Sequence, residues 1–351
     1  MLKIDMFSTA TKVKGQGVGS AYLELVRLLR DRFPTEFQIE VNQYSPADIS
    51  HYHTINPTFY LSTFSKRRGR KIGYVHFLPE TLEESLQLPP GIKQLFYRYV
   101  IAFYKRMDQI VVVNPTFIPE LEKYGISKER VTYIPNFVSK TEFHPVTPAQ
   151  KEQLRDQYGY DQHRFTVICT GQVQTRKGVL DFAKLAQDNP SYQFIWVGGF
   201  SFGGMTAGYS ELKKLVDNPP ANLSFPGIVD RDHLVEYYDL ADVFLLPSYN
   251  ELFPMSVLEA FSCGLPVILR DLPLYQQIIA DYYAPAKDES EMNQWLNRLA
   301  DDSKLRSDYV HKSETASDYY SEGHLAQIWH DFYIQQAQIQ AENGRSHVQK
   351  K

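Results

Sequence analysis

Apolar runs just long enough for one buried strand recur along this chain, and a helical pattern follows most of them. In the first half they read as strands at Leu2–Phe7, Phe37–Val41, Asp48–His51, Ile72–His76, Gln109–Val113 and Val131–Ile134. In the second half they read as strands at Phe165–Thr170, Tyr192–Val197, Leu223–Phe225, Val243–Leu246 and Pro266–Leu269. Repeated strand–helix units predict parallel sheets, because parallel neighbours need a crossover connection. Two such halves give an α/β chain of two Rossmann-like domains facing across a cleft, 1–145 and 146–322. Ligands are expected at the carboxyl ends of the strands. The segment from Phe143 to Gln162 holds Pro145 and Pro148 and reads as the connection. From Glu289 the chain is polar and helical. A helix at about 323–340 is expected to return to the first domain, and the tail 341–351 to be disordered.

At 351 residues each half has room for its own core. The two cysteines, Cys169 and Cys263, sit in apolar runs and offer no disulfide framework, which points to a reducing, cytoplasmic setting. Lys3 and Asp5 break the first apolar stretch, so no signal peptide is expected. No run approaches the roughly 18 apolar residues of a spanning helix. The formal net charge of −4 hides an asymmetry: residues 1–145 carry 19 Lys/Arg against 14 Asp/Glu, and residues 146–351 carry 18 against 27. Much of the positive excess lies in Lys66, Arg67, Arg68, Arg70 and Lys71. Shortly after, Ile92–Arg106 reads as a helix rich in aromatic residues, with Lys93, Arg98, Lys105 and Arg106. A basic amphipathic helix of this kind suits an anionic membrane surface. The plainer alternative is a core helix whose cations snorkel. A nucleic-acid partner would want a more basic domain and is not expected.

The segment from Pro247 to Val267 carries the chemistry. Glu251 falls in a loop after an apolar strand. Glu259 falls on a helix that starts near Met255 and stops at Gly264. A helix N-terminus at a strand's carboxyl end offers free N–H groups and a positive dipole end to a phosphate. The backbone N–H groups of Met255 and Ser256 should therefore receive the distal phosphate. Glu259 should accept both ribose hydroxyls of a nucleotide, and Glu251 should face the sugar. Solvated carboxylates are the ordinary alternative, and the strand–loop–helix context favours the functional one.

This stretch resembles the Glu-x7-Glu motif of the retaining glycosyltransferases of family 4, which have the GT-B arrangement of two facing Rossmann-like domains. The resemblance extends over nearly the whole chain: Lys14–Ser20 opening a helix, Tyr74-Val75-His76 ending a strand, Ile134–Val138 before the crossover, and Gly171–Gly178. It implies that the Gly17 loop approaches donor phosphate and acceptor, and that His76 contacts the transferred sugar. It also implies that Lys177 neutralises the diphosphate as charge develops. The family usually has Arg at the position of Gln172; Gln172 is expected on the donor, with Arg176 as a substitute cation although it does not share a helix face with Lys177. It usually has Gly at the positions of Phe137 and Pro254, and Pro254 leaves the donor sugar open. No cofactor and no essential metal are expected. Asp230-Arg231-Asp232 imitates a metal-binding Asp-x-Asp but precedes a helix, where Asp caps N–H groups. His51 and His53 share one strand face with no third ligand evident.

Within the family, Lys12–Ala21 is similar to bacterial α-galactosylglucosyldiacylglycerol synthases, and next to diglucosyldiacylglycerol synthases. That resemblance implies transfer from a UDP-hexose, galactose before glucose, to glucosyldiacylglycerol. The product would be an anchor for lipoteichoic acid, made by an enzyme peripheral on the inner face of the cell membrane. Alternatives are a cytosolic transferase acting on a soluble acceptor or polysaccharide, and a catalytically silent glycan- or lipid-binding module.

Overall fold

The computed structural model describes residues 1–12, 17–76, 78, 90–201 and 203–348, and folds them around two six-stranded sheets. The first holds β1 (Leu2–Phe7), β2 (Phe37–Val41), β3 (Ile49–Tyr52), β4 (Arg70–Val75), β5 (Gln109–Val112) and β6 (Val131–Tyr133) in the order β2-β1-β3-β4-β5-β6. The second holds β7 (Thr166–Thr170), β8 (Gln193–Val197), β9 (Leu223–Gly227), β10 (Val243–Leu246), β11 (Val267–Arg270) and β12 (Ala284–Ala286) in the order β12-β11-β10-β7-β8-β9. All neighbours are parallel. Strands β7, β8, β10 and β11 are buried along their whole length, as expected where helices cover both faces. Only β12 was not legible: three residues around Pro285 carry no pattern, and proline is tolerated because the strand is at an edge.

The chain passes between the domains twice, side by side. The amide of Val138 donates to the Tyr320 carbonyl at 3.1 Å, and Val138 bridges Ser321. After the first passage, Thr147 and Gln150 form a capping box that starts the helix Pro148–Tyr158. After the second, the helix Glu322–Val348 lies on the first domain. There Tyr333 Oη sits 2.6 Å from His51 Nδ1, and His330 Nε2 2.9 Å from Glu36. This helix continues past residue 341, where the sequence reading placed a disordered tail. No proline follows to stop it, and each added residue gains one helical bond. Residues 349–351 lie outside the described residues, as do residues 13–16 of the first loop.

The basic run at 66–71 is not one solvated face. Lys66 and Arg67 are exposed, but Arg68 is 2% exposed. Its guanidinium lies 3.2 Å from buried Asp5 and donates to the carbonyls of Tyr44 and Ser45. Arg70 is also buried and donates to Gln336 of the final helix, while Lys71 pairs with Asp108 at 3.3 Å. Arg68 and Arg70 are therefore withdrawn as membrane contacts. The cause is local. Gly69, at φ +56°, packs against the Asp48 carbonyl too closely for any Cβ, which turns the flanking arginines inward. In the helix Pro90–Lys105, Arg98 is exposed, as is Lys105. Lys93 is half-buried, 5.6 Å from the Tyr97 ring. Arg106 turns back to donate to Thr63 and lies 4.2 Å over Phe64. Large apolar side chains stand in solvent nearby: Leu61, Phe64, Ile92 and Leu95, the last 70% exposed. Among the described residues no helix is long and apolar enough to cross a membrane.

Candidate active site

The second sheet reverses its order between β7 and β10, and the loops leaving these two strands face a cavity of about 510 Å³ between the domains. Such a switch point is where open α/β sheets bind ligands. The β7 loop brings Gln172, Arg176 and Lys177 to the wall, and the β10 loop and following helix bring Glu251, Met255, Ser256 and Glu259. Gly178, at φ +74°, presses against the Pro247 carbonyl where a Cβ would collide. That contact sets the two loops against each other. Gly17 and His76 line the same cavity from the first domain. A Cβ on Gly17 would sit 3.8 Å from Met255 Cγ, so the helix Gly17–Arg32 begins against the start of the helix Met255–Ser262.

Lys177 Nζ forms a buried ion pair with Glu251 Oε1, and Ser248 Oγ donates to the same oxygen at 2.6 Å. Burial alone would raise the Glu251 carboxyl, but the Lys177 and Arg176 charges outweigh it and hold the group below its ordinary value. Burial lowers the Lys177 ammonium, opposed by Glu251. Arg176 donates to the Asn250 carbonyl at 3.0 Å, which fixes the acidic loop. Glu259 is 3% exposed; Tyr238 donates to its Oε2 at 2.7 Å, and Arg231 NH1 lies 3.4 Å from its Oε1. A carboxylate has about four lone-pair directions, so two remain for ribose hydroxyls. Burial lowers His76 to about 3, leaving a neutral imidazole whose Nε2 has no hydrogen-bond partner among the described residues. Among the described residues no three His, Cys, Asp or Glu side chains converge as metal ligands.

A family model described as glycosyl transferases group 1 matches residues 150–315, and one described as glycosyltransferase family 4 matches residues 15–142. The α-galactosylglucosyldiacylglycerol synthase of Streptococcus pneumoniae is 50% identical over 339 residues, 96% of this chain and 91% of that protein. The chain belongs to glycosyltransferase family 4. The processive diacylglycerol α-glucosyltransferase of Acholeplasma laidlawii is 28% identical over 186 residues, 52% of this chain and 54% of that one. The family 4 fold is shared with Anabaena HepE, solved in complex with UDP and glucose. That structure superposes with a TM-score of 0.75 at 15% identity over 95% of this chain and 99% of its own. Sucrose-phosphate synthase from Thermosynechococcus elongatus gives 0.76 at 16% identity, over 95% and 99%.

Departures from the usual family 4 residues have local explanations. Phe137 is buried and does not adopt a positive φ, so no glycine is required there. Pro254 caps the helix Met255–Ser262 at φ −71°, within proline's fixed range, which leaves Met255 and Ser256 as its first N–H groups. Asp230 stands at the N-cap of the helix Arg231–Asp239, but its side chain makes no capping bond, contrary to the sequence reading. Several site residues escaped that reading. Asn136 Nδ2 donates across the cleft to the Phe253 carbonyl at 3.2 Å, and Asn114 Nδ2 to the Leu252 carbonyl at 3.1 Å. Both tie the acidic loop to the first domain. Asparagines after apolar strands give no sequence signal for such a role. Arg231 was dismissed with its aspartate neighbours.

Proposed function

We propose that this protein is a retaining hexosyltransferase. It moves one hexose from a UDP-sugar, galactose in preference to glucose, to glucosyldiacylglycerol at the inner face of the cell membrane, without a metal. The dihexosyl lipid would then anchor lipoteichoic acid. One observation carries the reading: Lys177, Glu251 and Glu259 converge on one interdomain cavity in a chain 50% identical, over 96% of its length, to a synthase of that name.

The chemistry follows from the placement. The ribose hydroxyls donate to Glu259, and the diphosphate lies against the N–H groups of Met255 and Ser256. The hexose hydroxyls then reach Glu251 and neutral His76. As they donate to Glu251, Lys177 exchanges its carboxylate for the diphosphate, so neither charge is left unpaired in a buried site. When the bond between the hexose and the diphosphate breaks, the developing charge meets Lys177, Arg176 and a helix N-terminus. Those groups do the work a divalent cation would otherwise do. Glu251, released from Lys177 and holding the hexose hydroxyls, orients the sugar for the acceptor hydroxyl.

The acceptor side supports a membrane setting. Leu61, Phe64, Ile92 and Leu95 are exposed on the first domain near exposed Lys66, Arg67 and Arg98. Apolar side chains flanked by cations suit insertion at an anionic interface. The test is to supply glucosyldiacylglycerol in anionic vesicles with UDP-galactose or UDP-glucose and weigh the lipid. A gain of one hexose, faster with UDP-galactose, is expected. Turnover only with a soluble acceptor would favour a cytosolic transferase instead.

A further inference from the structure

Arg231 stands at the start of its helix, on the rim of the cavity, and its guanidinium meets carboxylates from three separate parts of the chain. NH2 pairs with Glu24 on the first-domain helix Gly17–Arg32, and Nε lies 3.2 Å from Glu142 in the connection between domains. NH1 reaches Glu259 at 3.4 Å, and the guanidinium carbon lies 5.1 Å over the Phe143 ring. Arg27 adds a second cation on Glu142. Two cations thus face three carboxylates.

Glu24 is the informative member. It is 4% exposed on a helix face otherwise made of Ala21, Leu25, Leu28 and Leu29, and Arg231 reaches it from the opposite domain. A buried carboxylate that loses such a partner is strongly destabilised, so the contact holds only while the domains are together. Burial pushes the Glu24 carboxyl up, and Arg231 is the foremost group pulling it down. Glu24 also lies seven residues from Gly17, two helical turns, so the two face the cleft together. Drawing Glu24 to Arg231 therefore sets Gly17 against Met255, at the site proposed for the diphosphate.

We propose that Arg231 is a positioning residue that clasps the two domains shut over the donor, joining the ribose carboxylate Glu259 to Glu24 across the cleft. The inference rests on the reading of Glu259 as the ribose site. Ribose hydroxyls on the lone-pair directions that Arg231 and Tyr238 leave free on Glu259 then let the bound donor and the clasp stabilise each other.

The test combines UDP calorimetry with interdomain distances between spin labels at Asp31→Cys and Asn218→Cys, both exposed and in different domains; the native Cys169 and Cys263 are buried. Arg231→Met should lengthen and broaden the distance distribution and weaken UDP at least tenfold. Arg231→Lys should recover part of both. Glu24→Gln, which does not touch the nucleotide, should still lengthen the distance and weaken UDP several-fold. Combining Glu24→Gln with Arg231→Met should be no worse than Arg231→Met alone. An unchanged distance in folded Arg231→Met, or unchanged UDP affinity in Glu24→Gln, would overturn the clasp. Absence of UDP binding by the unsubstituted protein would instead sink the donor-site reading, while the distances would still decide the clasp.

Discussion

Lys177 Nζ is held in a buried ion pair with Glu251 Oε1, so the cation expected to meet the donor diphosphate is neutralised by the carboxylate expected to meet the sugar. Removing Glu251 frees Lys177 for phosphate. Glu251→Gln should therefore abolish nearly all transfer while UDP affinity holds or rises. Glu259→Ala should lose about 1.5–3 kcal/mol of UDP affinity, the worth of hydrogen bonds to a charged acceptor. Calorimetry with both variants checks this division, and equal losses of UDP affinity would refute it.

The two arginines turned inward separate folding from membrane attraction. Arg68→Ala leaves Asp5 buried without its cation and should cost about 3–5 kcal/mol of stability, read by urea denaturation. Lys66→Glu with Arg67→Glu should leave the urea midpoint unchanged and reduce sedimentation with anionic vesicles. Exposed Leu95 and Ile92 should leave a salt-resistant remainder, because electrostatic attraction is screened beyond about 8 Å at physiological salt. Unchanged sedimentation would make these cations an ordinary solvated face.

These arginines also mark where the sequence stops being legible. The strand–helix alternation and the spacing of Glu251 and Glu259 follow from local patterns, and both sheets were readable except for β12. A run of cations, however, reads alike whether it faces solvent or a buried carboxylate 63 positions away, as Arg68 faces Asp5. Glu24 posed the converse problem, since a lone carboxylate on an amphipathic helix looks solvated until Arg231 is brought to it by the other domain. Interdomain bonds such as Asn136 to Phe253 depend on the closing geometry and leave no local trace.

Three buried histidines give the fold an acid limit. Burial lowers His51 and His76 to about 3 and His53 well below its ordinary 6.5, while Asp239 is raised to about 7 by burial. Below pH 6.5 the unfolded chain takes up the histidine protons and the folded chain does not. Their contribution is complete above 6.5 and lost as pH falls toward 3. Asp239 works the other way: its contribution is present below 3.8 and lost as pH rises through 7. The histidines outnumber Asp239, so stability should fall as pH drops from 7 to 5. Urea midpoints at pH 7, 6 and 5 should fall accordingly. A flat profile would mean that the histidines are solvated.

Transfer should survive EDTA, because Lys177, Arg176 and the helix N-terminus at Met255 supply the positive charge for the diphosphate. Loss of turnover in chelator with strict recovery by Mn²⁺ or Mg²⁺ would assign Asp230 and Asp232 the role they were denied.

The most direct test of hexose transfer to a lipid acceptor compares the unsubstituted protein with Glu251→Gln on anionic vesicles of glucosyldiacylglycerol with UDP-galactose, followed by mass spectrometry and NMR of the lipid. The unsubstituted protein should add one hexose in the α configuration of the donor. The Glu251→Gln variant should add none while still binding UDP. An inverted linkage, transfer only to soluble saccharides, or equal turnover by the two proteins would contradict the account.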